Sequence, residues 1–106
     1  MHPTTLSLFI AATLAMSGPA LAQPLSASPG RKAAMEICSS CHQVTEAQPL
    51  PSQNAASFID IARMPSTTAL SLKVFLRSNH RGMPNLIVPD SDADGIIEYL
   101  LSLKPR

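Results

Sequence analysis

Cys38-Ser39-Ser40-Cys41-His42 is the stretch against which the rest of the chain is read. On a helical turn Cys38 and Cys41 stand three residues apart and Cys38 and His42 four apart, so all three side chains project from one face. Two thiols and an imidazole in this order form C-x-x-C-H, the attachment signature of a c-type haem. Thioethers from Cys38 and Cys41 would fix one porphyrin edge, and His42, a neutral nitrogen donor suited to iron, would be the proximal ligand.

Other uses of the same residues fit less well. A thiol–disulfide catalyst would be expected beside aromatic or Gly-Pro neighbours and a following βαβ pattern, and neither is found around Cys38 and Cys41. A zinc site needs four nitrogen or sulfur ligands, whereas the chain has two cysteines and three histidines, with His2 in a segment expected to be removed. A disulfide between residues so close in sequence would close a loop too small to remove much denatured-state entropy.

A length of 106 residues bounds the chain to one domain. An apolar run from Leu6 to Ala15 is broken by Ser17-Gly18-Pro19, and Ala20-Leu21-Ala22 then offers the small-x-small pattern of a signal-peptidase site. Residues 1–22 are therefore expected to be a secretory signal peptide and residues 23–106 the mature domain, located in the periplasm. The run is shorter than the roughly twenty apolar residues of a membrane span. Met1–Thr5 contains no Lys or Arg, so an uncleaved anchor stays open as the alternative.

Export agrees with the motif, because c-type haem is attached outside the cytoplasm and both cysteines are then consumed by thioethers. The formal charge is +1, all of it arising beyond the leader, and two haem propionates turn it slightly negative. Such a balance argues against nucleic-acid binding, which needs a strongly basic surface. No Trp, one Tyr and three Phe make a small core, and Phe9 belongs to the leader. Domains of this size need a staple. A covalent, mostly buried haem would be that staple, so the haem-free chain is expected to fold poorly.

Along the mature chain the pattern is helical throughout. Ser28 can cap a first helix that Pro29 opens and that runs into the haem motif. Gly30 in its first turn suggests a close approach by another backbone or ring. Gln43 to Asn54 is polar and carries Pro49 and Pro51, which predicts a loop along one haem edge. A short helix capped by Asn54 is expected over Ala55, Ala56, Phe58, Ile59, Ile61 and Ala62, with Phe58 in the core. Ser66 then opens a longer helix ending near Asn79, whose Leu70, Val74 and Phe75, with Leu72 and Leu76 beside them, form a wide apolar face. Asn79 to Asn85 is a loop by its Gly82 and Pro84. Asp90 or Ser91 caps a last helix with Asp92 and Asp94 near its start and Ile96, Ile97, Tyr99, Leu100, Leu101 and Leu103 buried.

An early helix entering C-x-x-C-H, two middle helices, a Met-Pro loop and an amphipathic last helix together resemble the small bacterial class I c-type cytochromes, over roughly Pro29 to Leu103. The resemblance implies an all-α cytochrome c fold of about four helices around one covalent haem c. It also implies a single-electron carrier outside the cytoplasm, and not an enzyme. Its redox partners would be a donor dehydrogenase and an acceptor oxidase or reductase, and it would work as a monomer with no transmembrane span. The axial residues of that family map onto His42 and Met83, and its first-helix glycine, which packs on an aromatic of the last helix, maps onto Gly30 and Tyr99. Ala34 stands where the family has an aromatic, four residues before the first haem cysteine.

Position supports Met83 over its rivals as the distal iron ligand. Met83 lies in a Gly- and Pro-bearing loop, with two helices between it and His42, so the chain can cross a haem. Met64, also followed by proline, is too close to His42 in sequence and is expected to pack. His80, between Arg77 and Arg81, is expected to be exposed. Those three basic residues could rim the haem edge for an acidic partner, or form an ordinary solvated helix end. Two other functions stay open: a haem sensor or ligand-binding domain with a labile sixth ligand, and a dedicated cytochrome subunit of a periplasmic dehydrogenase complex.

Overall fold

A computed structural model describes residues 28–51, 54–80 and 82–106; the leader read over residues 1–22, and Arg81, lie outside the described residues. Four helices follow in order, α1 (Pro29–Ile37), α2 (Phe58–Arg63), α3 (Ala69–Arg77) and α4 (Asp90–Ser102), with no strand among the described residues. The all-α architecture of about four helices is the one expected.

α1 starts as its sequence dictates. The Ser28 hydroxyl accepts the Arg31 N–H at 3.2 Å, and Pro29, which has no N–H to leave unsatisfied, occupies the first helical position. The helix crosses α4 at a contact without side chains. A Cβ on Gly30 would lie 1.9 Å from the carbonyl oxygen of Gly95, a backbone atom that cannot swing away. Gly30 thus meets Gly95, one turn before the Tyr99 to which the family pattern assigned it. Ala34, fully buried beside this crossing, is the small residue that so close an approach requires.

α3 and α4 run antiparallel. Lys73 bonds Asp94 at 3.1 Å and, one turn on, Arg77 pairs with Asp90, one turn back along α4. Both pairs are exposed and hold register more than they stabilise, at about 0.5 kcal/mol each. α4 has no side-chain cap, since Pro89 and neither Asp90 nor Ser91 holds the cap position; Asp90 and Asp92 in its first turn complement the helix dipole instead. Ala93, Ile96, Ile97, Tyr99 and Leu100 are buried, whereas Leu101 and Leu103, expected inside, are half-buried.

Two helices begin later than the sequence pattern suggests. α2 opens at Phe58 with Ser57 as its cap, the hydroxyl accepting Asp60 N–H at 3.1 Å and donating to Asp60 Oδ2 at 2.7 Å. Ala55 and Ala56 stay outside it, because the Ala56 carbonyl is engaged elsewhere and Phe58 N–H bonds Gln43 O at 2.9 Å. α3 opens at Ala69, where Thr68 and Ser71 form a reciprocal capping box, and ends at Arg77. Its apolar face is wider than its partner. Leu72 and Leu76 turn toward the core, while Leu70, Val74 and Phe75 remain 74%, 58% and 53% exposed.

Among the described residues, no helix is long and apolar enough to cross a membrane.

Candidate functional site

The haem motif is delivered by the end of α1. Cys38 N–H still bonds Ala34 O at 2.8 Å, and one further turn closes as Cys41 and His42 N–H both donate to Cys38 O at 3.1 and 2.9 Å. α1 itself stops at Ile37, yet the backbone of the motif is the helical turn that its spacing predicts. The i,i+4 bond sets Cys38 and His42 on the same side of that turn.

The two cysteines of the motif lie in different surroundings. Cys38 is buried and Cys41 exposed, and burial pushes the Cys38 thiol up to about 11. A thiol–disulfide catalyst needs the reverse, a thiol lowered toward neutrality.

A backbone carbonyl anchors the ring of His42. Its Nδ1 lies 2.7 Å from Ala56 O, and a carbonyl only accepts, so Nδ1 is the donor of this bond and Nε2 is the nitrogen left for another partner. A metal-ligating histidine is commonly held in this way, its second nitrogen anchored so that the ring orientation and tautomer are fixed. The ring is also braced edge-on by Phe58, at 5.9 Å between centroids and 62° between planes, and Phe58 in turn leans on Tyr99 of α4 at 6.4 Å. The last helix therefore supports the imidazole through two aromatic contacts.

Met83 is half-buried in the loop between α3 and α4. Its N–H donates to His80 O at 3.0 Å, closing a turn through Gly82, whose φ of +77° is a left-handed conformation that favours glycine. His80 is less exposed than expected. It is half-buried, with its ring edge on Phe75 at 5.3 Å and its Nδ1 3.1 Å from Phe75 O. Met64 departs the other way: 46% exposed and extended after α2, it does not pack as expected. Of the basic residues named for a rim, Arg77 is half-exposed and paired with Asp90.

Ala56 and Val44 were not legible as parts of the site. Ala56 acts through its carbonyl, which every residue has, and Val44 is a single apolar residue in a polar loop. Val44 is only 1% exposed, and its carbonyl accepts Tyr99 Oη at 3.1 Å.

Two cysteines on one turn, an imidazole anchored through Nδ1 and a thioether on a second segment form a donor set that fits a haem. No protein-family model and no solved structure matches the chain. A curated relative does: cytochrome c-552 of Bradyrhizobium diazoefficiens is 34% identical over 76 residues, covering 72% of this chain and 73% of that protein. With the all-α fold and the C-x-x-C-H turn, this identity shows that the chain belongs to the class I c-type cytochromes, electron-transfer proteins that carry a covalently bound haem c.

Proposed function

We propose that the protein is a periplasmic single-electron carrier whose haem is held by Cys38 and Cys41 and ligated by His42 and Met83. The observation that carries this reading is the 2.7 Å contact between His42 Nδ1 and Ala56 O, which prepares Nε2 as a ligand. When bound, the haem supplies the Fe(III)/Fe(II) couple. The chain would do the rest: Cys38 and Cys41 would hold the porphyrin edge, His42 would supply an imidazole nitrogen and Met83 a thioether that raises the potential. The uncovered apolar side chains of α3, Val74 and Phe75 among them, suit contact with a flat apolar ring. With His42 and Met83 both engaged, such a centre would pass electrons and leave no position for a substrate. Residues 1–22 serve as the cleaved leader, and the mature monomer meets its donor dehydrogenase and its acceptor outside the cytoplasm.

The test starts from protein exported by a host able to attach haem. After acid-acetone denaturation the haem should stay with the polypeptide, and the mature mass should begin at Gln23. The ferric protein should show the weak far-red sulfur-to-iron absorption at neutral pH, lost in Met83→Ala. Haem in the organic phase would sink covalent attachment by Cys38 and Cys41. One observation favours a second reading, with His80 in the place of Met83: Nδ1 of His80 also faces a carbonyl, which leaves its Nε2 as the nitrogen free for another partner. Absence of the far-red band from the native protein, with the spectrum changed by His80→Ala, would establish that reading instead.

A further inference from the structure

We infer that Gln48 is a positioning residue for the proximal iron ligand: its carboxamide ties the Cys38–His42 turn to the loop braced by α4 and so sets the direction from which His42 meets the iron. The inference rests on the reading of His42 as that ligand. Gln48 Nε2 donates to Ser39 O at 3.0 Å and to His42 O at 3.3 Å, while its Oε1 accepts Val44 N–H at 3.1 Å. The partners fix which end of the amide is which, because the two carbonyls only accept and the Val44 N–H only donates. Its backbone carbonyl is held as well, by Gln43 Nε2.

The carbonyls it captures are the informative ones. Ser39 lies inside the C-x-x-C segment, and the His42 carbonyl belongs to the residue whose imidazole is to bind. Ala56 anchors the ring, and Gln48 anchors the peptide from which the ring hangs; a ring direction is defined only when both are held. Val44 passes the constraint on, since its own carbonyl accepts Tyr99 Oη at 3.1 Å. One line of hydrogen bonds thus runs from α4 through Val44 and Gln48 to both halves of the motif. Glutamate could not replace glutamine here, for a carboxylate would face two carbonyl oxygens with no proton to offer.

The experiment uses haem-loaded Gln48→Glu, which keeps the shape and loses the donors, Gln48→Met, which loses donors and acceptor, and a control, Thr67→Val. Thr67 is buried and its hydroxyl donates to Ile61 O at 2.6 Å, away from the motif. The readouts are the order of the haem-methyl shifts in the ferric proton spectrum, which follows the orientation of the axial ligands, the reduction potential and the melting temperature. Both Gln48 variants should reorder the methyl shifts, and Gln48→Glu should also lower the potential by placing negative charge near ferric iron. Thr67→Val should lower the melting temperature and leave methyl order and potential as they are. If both Gln48 variants fail to accumulate haem while Thr67→Val loads normally, Gln48 serves the folding of the attachment turn and the orienting role is overturned. An unchanged methyl order in either Gln48 variant, or the same change or the same loss of loading in Thr67→Val, overturns it. The underlying ligand reading fails separately: His42→Ala would then keep the wild-type ferric spectrum.

Discussion

The segment from Cys38 to Phe58 and the segment from Ala69 to Val88 are built on different principles. In the first, His42 is bonded to Ala56, Phe58 to Gln43, Gln48 to Ser39 and His42, and Tyr99 reaches in from α4 to Val44. In the second, α3 is tied to α4 by exposed ion pairs, Met83 by one turn bond to His80, and large apolar side chains stand in the open, Ile87 at 97%. One proposed iron ligand is therefore held by hydrogen bonds and aromatic contacts, and the other by the path of its loop. Damage to the first segment should spread through the fold. Damage to the second should change the iron site and leave the fold largely intact.

The largest expected contrast is between the two proposed ligands. His42→Ala should abolish the low-spin spectrum and most of the haem-loaded protein, whereas Met83→Ala should still mature, lose the far-red absorption and show a lower potential. Equal yields of loaded protein from the two variants would break the distinction. Next come the two phenylalanines. Phe58, 4% exposed, should cost about 4 kcal/mol on truncation to Ala by denaturant melts, and the half-exposed Phe75 about 1 kcal/mol. If Phe75→Ala costs as much as Phe58→Ala in the haem-loaded protein, α3 is closed over by the porphyrin as tightly as the proximal side is by α4.

The two glycines sharpen the same comparison at lower cost. Gly30→Ala must force α1 from α4, because the new Cβ meets Gly95 backbone, and should destabilise by about 3 kcal/mol. Gly82→Ala meets nothing within 4 Å and carries only the strain of a positive φ, about 1 kcal/mol. Similar losses at both positions would mean that the Met83 turn is more constrained than its contacts indicate. The smallest effect belongs to the α3–α4 surface: Arg77→Ala should lower stability by about 0.5 kcal/mol and less at high salt, as a pair with side chains 53% and 81% exposed should. A salt-independent loss above ~1 kcal/mol would show this ladder to be structural.

The chain's local signals were enough for its class and its chemistry. Ser28-Pro29 announced α1, the apolar spacing of Ile96, Ile97 and Leu100 announced α4, and C-x-x-C-H announced haem; each depends on residues within about a turn of one another, where spacing and side-chain type act directly. Whatever depends on a distant partner was beyond them. Asn54 and Ser66 are reasonable caps by type, but Ser57 and Thr68 hold those positions, at α2 because the Ala56 carbonyl is drawn to His42. Gly95 became the partner of Gly30, and Val44 a core residue in a polar loop, only once α4 was laid across α1 and beside the haem turn. The same holds for α3: its sequence declares an apolar face, but only the placement of α4 decides that Leu72 is buried and Leu70 is not. Residue type sets what a side chain or carbonyl can do, while burial and pairing are set by what the folded chain brings within reach.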